Sequence, residues 1–261
     1  MTKLSRSKIE LSLECPRCFW LDMKQGIKRP PPMPYTINNA VDYLLKQEFD
    51  IHREKGTPHP VMKKHKIDAV PYSHEKINTW RHNFTGVQFH HKPTDFLVYG
   101  AVDDIWVNPE GELMVVDYKA TGANQHRIYD SYKRQMEIYQ WLLRQNGFNV
   151  SPVGYFVFAK VNKAGGFGMP VRHSLSEGGG EALQPGSRQR RGSPEAAGQA
   201  LQSNSGQAAL SFEMIVEPQE GDGSWIEEAI GAARKTFDDE KIPAASTDCE
   251  YCRYRKVAGE F

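Results

Sequence analysis

The spacing of apolar residues along the chain alternates between helix-like and strand-like periods. From about Ile37 to His52, apolar residues recur every three or four positions, which predicts an amphipathic helix. Further helices are predicted over about 127–145 and 224–238, and apolar runs bounded by turn residues predict strands at 96–107, 113–119, 153–161 and 211–216. Because the two kinds of element are interleaved, the pattern predicts an α/β domain with a mixed central sheet flanked by helices.

Two of the predicted strands form a hairpin with a defined register. A turn at 108–111 joins the strand at 96–107 to the next one. If the hairpin is centred on Glu110, residues whose numbers add up to 220 face each other, so Asp103 lies opposite Asp117. Lys119 shares the face of Asp117 because side chains alternate along a strand. This register brings two carboxylates and an ammonium group together, and a slip of one residue would separate them.

A pair of carboxylates this close favours a metal ion. The two groups repel each other unless a cation lies between them, and Mg²⁺ and Mn²⁺ prefer oxygen ligands. Such an ion acidifies a bound water and stabilises charge on a phosphate, and Lys119 would orient that water or neutralise the developing charge. The alternative is a surface hairpin in which aspartate and lysine pair across the strands, and the hairpin alone favours neither.

Polar residues on two predicted helices join this set. The helix from Ile37 has an apolar face made of five residues: Ala40, Val41, Leu44, Leu45 and Ile51. Glu48 falls at the centre of that face and Asp42 well off it, and a buried carboxylate is costly unless it meets a metal or a partner. On the helix over 127–145, Gln135 and Tyr139 lie one turn apart on the inner stripe. The alternatives are a buried ion pair for Glu48, a strand-edge contact for Gln135 and a core position for Tyr139.

All four cysteines of the chain fall into two Cys-x-x-Cys pairs at opposite ends, Cys15 with Cys18 and Cys249 with Cys252. In a reducing compartment this arrangement indicates metal ligation before disulfides. Four thiolates suit either tetrahedral Zn²⁺ or a [4Fe–4S] cluster, and either would tie the two ends together, since binding energy at such a site becomes folding energy. Two unliganded pairs are the remaining alternative.

Composition adds the class of protein. The 261 residues carry 33 Lys and Arg against 32 Asp and Glu, a net charge of +1, which neither favours nor excludes a nucleic-acid partner. No apolar run approaches the roughly 20 residues of a membrane helix, and residues 1–6 lack the apolar core of a signal peptide, so a cytoplasmic protein is expected. Residues 169–209 contain no aromatic residue, lysine or aspartate and are predicted to be a disordered insertion in a single domain spanning 1–261.

The order of these motifs resembles a known superfamily, the PD-(D/E)XK nucleases, and within it the RecB-like group. Three motifs carry the resemblance: Gly100-Ala-Val-Asp103, Asp117-Tyr118-Lys119 and Gln135-Met-Glu-Ile-Tyr139. The two cysteine segments are similar to those of AddB and of the CRISPR-associated exonucleases, which carry an iron–sulfur cluster. The resemblance covers most of the chain apart from the insertion.

The resemblance implies a role for each residue of the set. Asp103, Asp117 and the backbone carbonyl of Tyr118 would hold the metal, Lys119 would position the attacking water, and Gln135 and Tyr139 would support the site or the DNA. Helical phase selects Glu48 as the upstream metal ligand. The implied function is a Mg²⁺- or Mn²⁺-dependent DNA nuclease, an exonuclease on single strands or ends, that works in repair, recombination or CRISPR-type processing with a helicase, integrase or repair complex.

The cysteines depart from the pattern of these relatives. The cluster-bearing members usually supply one cysteine from the N-terminus and three from the C-terminus, whereas this chain supplies two and two, with Ala258 near the place of the expected third. The spacing favours zinc and the resemblance favours [4Fe–4S], which is the expected group. A nuclease-like subunit that binds nucleic acid without cutting it, and a metal-clasped interaction protein, are the alternative functions.

Overall fold

The structure is a computed structural model that describes residues 1–31, 36–163 and 210–259. The chain divides into two compact units, Met1–Lys160 with Met214–Phe261, and Val161–Glu213. The predicted disordered insertion at 169–209 lies outside the described residues, so that assignment and the single domain over 1–261 stay predictions. Every residue of the sites below belongs to the first unit.

The described strands form two mixed sheets. The strands are β1 (Thr2–Ser5), β2 (Val70–Pro71), β3 (Val87–His91), β4 (Phe96–Gly100), β5 (Asp104–Val107), β6 (Leu113–Thr121), β7 (Val153–Val161) and β8 (Phe212–Glu220). The order in the smaller sheet is β1-β4-β3, with β1 parallel and β3 antiparallel to β4. The larger sheet has the order β2-β5-β6-β7-β8, in which β5 and β6 are antiparallel and β6 and β7 parallel.

Helices flank these sheets, which confirms the predicted mixed α/β architecture. They are α1 (Arg6–Glu14), α2 (Pro16–Gln25), α3 (Thr36–Lys55), α4 (Pro60–Lys64), α5 (Ile77–Arg81), α6 (Asp130–Gln145), α7 (Ile226–Asp238) and α8 (Glu250–Ala258). The core forms where the apolar side of α6 meets the sheets, with Met136 and Leu142 packed in one cluster with Val115 and Phe156. None of the helices in the described parts of the chain is both long and apolar enough to cross a membrane.

The predicted hairpin register is observed where β5 pairs with β6. Asp104 lies opposite Val116 and Val107 opposite Leu113, so paired residue numbers add up to 220. The turn is closed by hydrogen bonds between Asn108 and the residues at 111 and 112, and Gly111 takes the left-handed conformation, with φ 80°, that glycine adopts without strain. The turn chemistry therefore fixes the register on which the rest of the site depends.

The single strand predicted over 96–107 is wrong, because the chain leaves one sheet and enters the other between Gly100 and Asp104. In this gap the N–H of Val102 donates to the carbonyl of Trp80 at 3.1 Å, and the Asp103 carbonyl accepts from Arg81 Nε at 3.0 Å. Backbone groups in this gap have no partner strand, and they form hydrogen bonds with residues of α5 instead. Apolar periodicity continues through the break, so the sequence pattern does not reveal it.

The buried row of α3 also differs from the prediction. It consists of Val41, Leu45, Phe49 and Arg53, each one turn from the next, whereas Leu44 and Ile51 are exposed. Phe49 selects this row because its ring packs 5.5 Å from the ring of Trp106 in β5 and 5.5 Å from that of Tyr118 in β6. The helix is oriented by its contacts with the sheet and not by its most apolar side.

A buried carboxylate ties α3 and α5 to the back of the hairpin. Asp104 is fully buried and forms ion pairs with the guanidinium groups of Arg53 and Arg81, the latter at 3.0 Å. It also accepts hydrogen bonds from the Tyr118 hydroxyl at 2.7 Å and from the N–H of Ile105 at 2.8 Å. Burial and the Asp104 charge together raise the pKa of Tyr118 well above its usual range, so this hydroxyl stays a donor.

We expect Arg53→Met to destabilise the fold by about 3 kcal/mol, because it removes one partner of a buried charge. The free energy of unfolding from urea titration measures the effect. Arg253→Met is the matched control, since the side chain of Arg253 is 71% exposed and its contact with Glu250 is long, at 3.9 Å. Equal unfolding midpoints for the two variants would contradict the anchoring role of Asp104.

Candidate active site and cysteine centre

The hairpin brings Asp103, Asp117 and Lys119 together on one face. Asp103 lies just before β5, and its Oδ2 accepts a hydrogen bond from the N–H of Tyr118 at 2.9 Å. Asp117 is fully buried in β6, and the ammonium group of Lys119 forms an ion pair with its Oδ2. Tyr118 points to the opposite face, where its hydroxyl meets Asp104. The alternation of side chains thus separates the charged cluster from its structural support.

Asp117 is a buried carboxyl group whose surroundings raise its pKa. Burial raises its pKa to about 7, the neighbouring charge of Asp103 adds to the shift, and Lys119 opposes it. Its Oδ1 accepts a hydrogen bond from Gln135 Nε2 at 2.7 Å. Its Oδ2 is buried and, apart from the contact with Lys119, has no hydrogen-bond partner. Such an oxygen has a lone pair available for a cation.

Gln135 and Tyr139 hold this carboxylate from α6. Gln135 Nε2 lies 3.2 Å from the Tyr139 hydroxyl as well as near Asp117, so the two side chains act as one bracket. The Tyr139 ring passes so close to β4 that a Cβ on Gly100 would lie 2.5 Å from its Cε1. Gly100 is therefore required by the approach of the Tyr139 ring to the backbone.

Glu48 does not belong to this cluster. Its side chain is 58% exposed and hydrogen-bonds His59 at 3.0 Å, away from Asp103 and Asp117. The prediction that Glu48 lies at the centre of the buried face is wrong, because the buried row of α3 runs through Val41, Leu45 and Phe49 and leaves Glu48 outside.

Asp42 is the α3 carboxylate that faces the site. It pairs with Lys46 at 2.7 Å, and Lys46 Nζ also lies 3.4 Å from Asp103 Oδ1, so one ammonium group bridges the two aspartates. Burial and the charge of Asp103 raise the pKa of Asp42. If the helical phase of α3 is counted from Phe49 and Arg53, Asp42 falls on the face that packs against the sheet. The i,i+4 spacing of Asp42 and Lys46 also indicates that the two side chains can pair.

A cavity of about 790 Å³ is lined by residues of this site, among them Asp42, Asp103 and Lys119, whereas Asp117 is buried. Its charged lining comprises five Lys or Arg side chains against two aspartates, although the whole chain is close to neutral: Arg6, Lys46, Arg81, Lys119, Arg127, Asp42 and Asp103. Four of these residues were not predicted from the sequence as site residues, because they lie far apart in it: Arg6, Asp42, Lys46 and Arg127. The lining suits a polyanion, with acidic groups confined to one part of it.

The four cysteines form a second centre. Their sulfur atoms all lie within 4.8 Å of one another, and the sulfur of Cys18 lies 3.4 Å from that of Cys252 and 3.7 Å from that of Cys249. Cys15 separates α1 from α2, and Cys249 caps α8 by accepting a hydrogen bond from the N–H of Cys252. The predicted grouping of the two Cys-x-x-Cys pairs is therefore confirmed.

The surroundings of Cys15 favour a thiolate, whereas burial raises the pKa of the Cys18 and Cys252 thiols. Burial alone would raise the pKa of the Cys15 thiol, but hydrogen bonds from the backbone N–H groups of Cys18 and Ser246 lower it to about 6. Arg29 Nη2 lies 3.5 Å from the sulfur of Cys249 and is held in place by Glu14 at 2.6 Å. A thiolate is the form that binds a metal, so this site is suited to one.

We expect Gly100→Ala to destabilise the protein by about 1–3 kcal/mol, because the new methyl group must displace the Tyr139 ring. Gly231→Ala is the matched control, since Gly231 is exposed in α7 with no atom within 4 Å of the added carbon. This control should stabilise α7 by about 0.5–1 kcal/mol through helix propensity. Urea unfolding of both variants checks the opposite signs, and a wild-type midpoint for Gly100→Ala would contradict the close approach of Tyr139.

Comparison with known proteins places the chain in a family. No curated protein matches the chain. The family model described as the PD-(D/E)XK nuclease superfamily matches residues 3–257, a span that contains both the carboxylate cluster and the cysteine centre. The chain therefore belongs to the PD-(D/E)XK nuclease superfamily.

Proposed function

We propose that this protein is a Mg²⁺- or Mn²⁺-dependent deoxyribonuclease that hydrolyses phosphodiester bonds at the hairpin site. Membership of the superfamily indicates nuclease activity, a divalent metal and a nucleic-acid substrate. The single observation that carries the finer proposal is the convergence of Asp103, Asp117 and Lys119, two of which, Asp103 and Lys119, line the cationic cavity.

The residues present fit a hard divalent ion. Asp103 Oδ1 and Asp117 Oδ2 are the oxygens not committed to the N–H of Tyr118 or to Gln135, and both face only ammonium groups. The N–H of Tyr118 donates to Asp103 and its hydroxyl donates to Asp104. These two hydrogen bonds would fix the backbone carbonyl of Tyr118 as the third ligand. A bound Mg²⁺ or Mn²⁺ would lower the pKa of a water and offset charge on the phosphate.

Lys119 is the residue we assign to the attacking water. Its side chain is 19% exposed, and its ammonium group contacts Asp117 and lies 4.7 Å from the centre of the Tyr132 ring, so its position is defined from two sides. From there it would orient a water and neutralise charge that develops on the phosphate. Gln135 and Tyr139 would act indirectly, by keeping the Asp117 carboxylate in one orientation.

The finer assignment follows the motif order of the RecB-like group. We propose an exonuclease on single strands or ends that works in DNA repair, recombination or CRISPR-type processing, with a helicase, integrase or repair complex as partner. A cytoplasmic location is proposed with it, and it is supported by four cysteines that form no disulfide with one another. A subunit that binds without cutting has no need for all of Asp103, Asp117 and Lys119.

We expect Lys119→Ala to reduce cleavage of end-labelled single-stranded DNA about a hundredfold or more, because the water loses its orienting group. Product formation in Mn²⁺, Mg²⁺ or EDTA measures it, and EDTA should abolish cutting by the wild type. Lys133→Ala is the matched control, since this lysine of α6 has a side chain that is 42% exposed and pairs with Asp130 at 3.5 Å. Undiminished cutting by Lys119→Ala would overturn the site, and a wild type that binds but never cuts would favour the binding subunit.

For the cysteine centre we propose a single Zn²⁺ ion that joins the two ends of the domain, in place of the expected [4Fe–4S] cluster. Four sulfurs about 2.3 Å from one zinc ion would lie about 3.8 Å apart. The sulfur contacts of 3.4, 3.7 and 3.9 Å support that spacing. The thiolates of a [4Fe–4S] cluster bind four different irons and must stand farther apart.

We expect protein purified without oxygen to contain one zinc ion per chain, no acid-labile sulfide and no visible absorption band. Cys18→Ser should lose the zinc and lower the melting temperature, because the ion's binding energy is part of the folding energy. Elemental analysis and a sulfide assay distinguish zinc from an iron–sulfur cluster. Equal amounts of iron and sulfide, with a brown colour, would contradict the zinc proposal and favour the [4Fe–4S] cluster.

A further inference from the structure

The most exposed large apolar side chain in the described parts of the chain lies on the wall of the active-site cavity. The Phe84 residue is 75% exposed, and it lines the same cavity as Asp103 and Lys119. An apolar ring of this size that remains exposed to water does not gain the favourable free energy that burial would give. Its place beside the catalytic cluster indicates that a ligand covers it.

The Phe84 ring stands on a fixed turn. Thr85 and Gly86 donate backbone hydrogen bonds to the carbonyl of His82 at 3.1 and 2.8 Å, and the Thr85 hydroxyl donates to the carbonyl of Thr79 at 2.8 Å. Gly86, with φ 58°, packs so tightly on β4 that an added Cβ would lie 2.3 Å from the carbonyl oxygen of Gly100. The turn is therefore locked to the strand that precedes Asp103.

A second exposed aromatic ring lines the cavity from the start of α6. Tyr129 is 50% exposed, and its ring is supported edge-on by Tyr132 at 5.2 Å and by the guanidinium group of Arg127 at 5.3 Å. The ammonium group of Lys119 in turn lies 4.7 Å from the centre of the Tyr132 ring. One wall of the cavity thus links an exposed ring to the proposed catalytic lysine.

We infer that Phe84 and Tyr129 stack on unpaired bases next to the scissile phosphate, so that they select a single strand over a duplex. Cationic residues of the cavity, including Arg6, Lys46 and Arg127, would follow the phosphate backbone while the two rings take base faces. In a duplex those faces are covered by neighbouring bases, so only an unpaired strand can use both rings. This inference rests on the proposed nuclease function and assigns residues to its substrate choice.

The test measures DNA binding in the absence of metal, so that binding is observed separately from cleavage. Fluorescence anisotropy in EDTA at one fixed salt concentration would compare a labelled oligothymidine with a duplex of the same length. We expect Phe84→Ala and Tyr129→Ala each to weaken single-strand binding about tenfold and to leave duplex binding unchanged. Phe84→Trp and Tyr129→Phe should retain the affinity, since each keeps an aromatic face.

Tyr254→Ala is the matched control, because this tyrosine of α8 is 68% exposed and does not line the cavity. Both target side chains are exposed, so unchanged thermal melting of the variants would exclude misfolding. Wild-type affinity in Phe84→Ala and Tyr129→Ala, or an equal loss on single strand and duplex, overturns the inference. A wild type that binds single strands through these rings but never cuts them would refute the nuclease proposal alone.

Discussion

The pairing of β5 with β6 is the constraint on which the rest of the molecule depends. Because side chains alternate across this hairpin, one face carries Asp104 and Tyr118, which support the fold. The other face carries Asp103, Asp117 and Lys119, of which Asp103 and Lys119 line the cavity. A slip of one residue would exchange the two sets and bury the wrong charges. The closed turn at Gly111 prevents it.

Buried carboxylates on the two faces are compensated differently. Asp104 meets two guanidinium groups, a hydroxyl and a backbone N–H, so its charge is fully paired within the fold. Asp117 has one amide and one ammonium group, and burial raises its pKa to about 7. The first arrangement stabilises the hairpin, whereas the second leaves a carboxylate that gains most from an added cation.

The N-terminal segment connects the two chemical centres. Its strand β1 pairs with β4, the strand that ends at Gly100, and α1 runs from Arg6 on the cavity wall to the residue before Cys15. Arg134 of α6 holds the same helix through Glu10 at 2.6 Å. A metal at the cysteines would therefore stabilise the element that supplies one wall of the active site.

The sequence by itself determined the hairpin register, the Asp-x-Lys face, the Gln135–Tyr139 pair and the meeting of the two cysteine pairs. The first three follow from a period of two, from one turn of helix and from local turn chemistry, all of which are properties of short segments. The meeting of the cysteine pairs follows from the Cys-x-x-Cys spacing, which is typical of metal ligands. Only the tertiary structure decided the break between Gly100 and Asp104 and the choice of Asp42 over Glu48. The physical reason is that partners distant in sequence set both: α5 pairs the backbone in the gap, and the rings of Trp106 and Tyr118 set the rotation of α3.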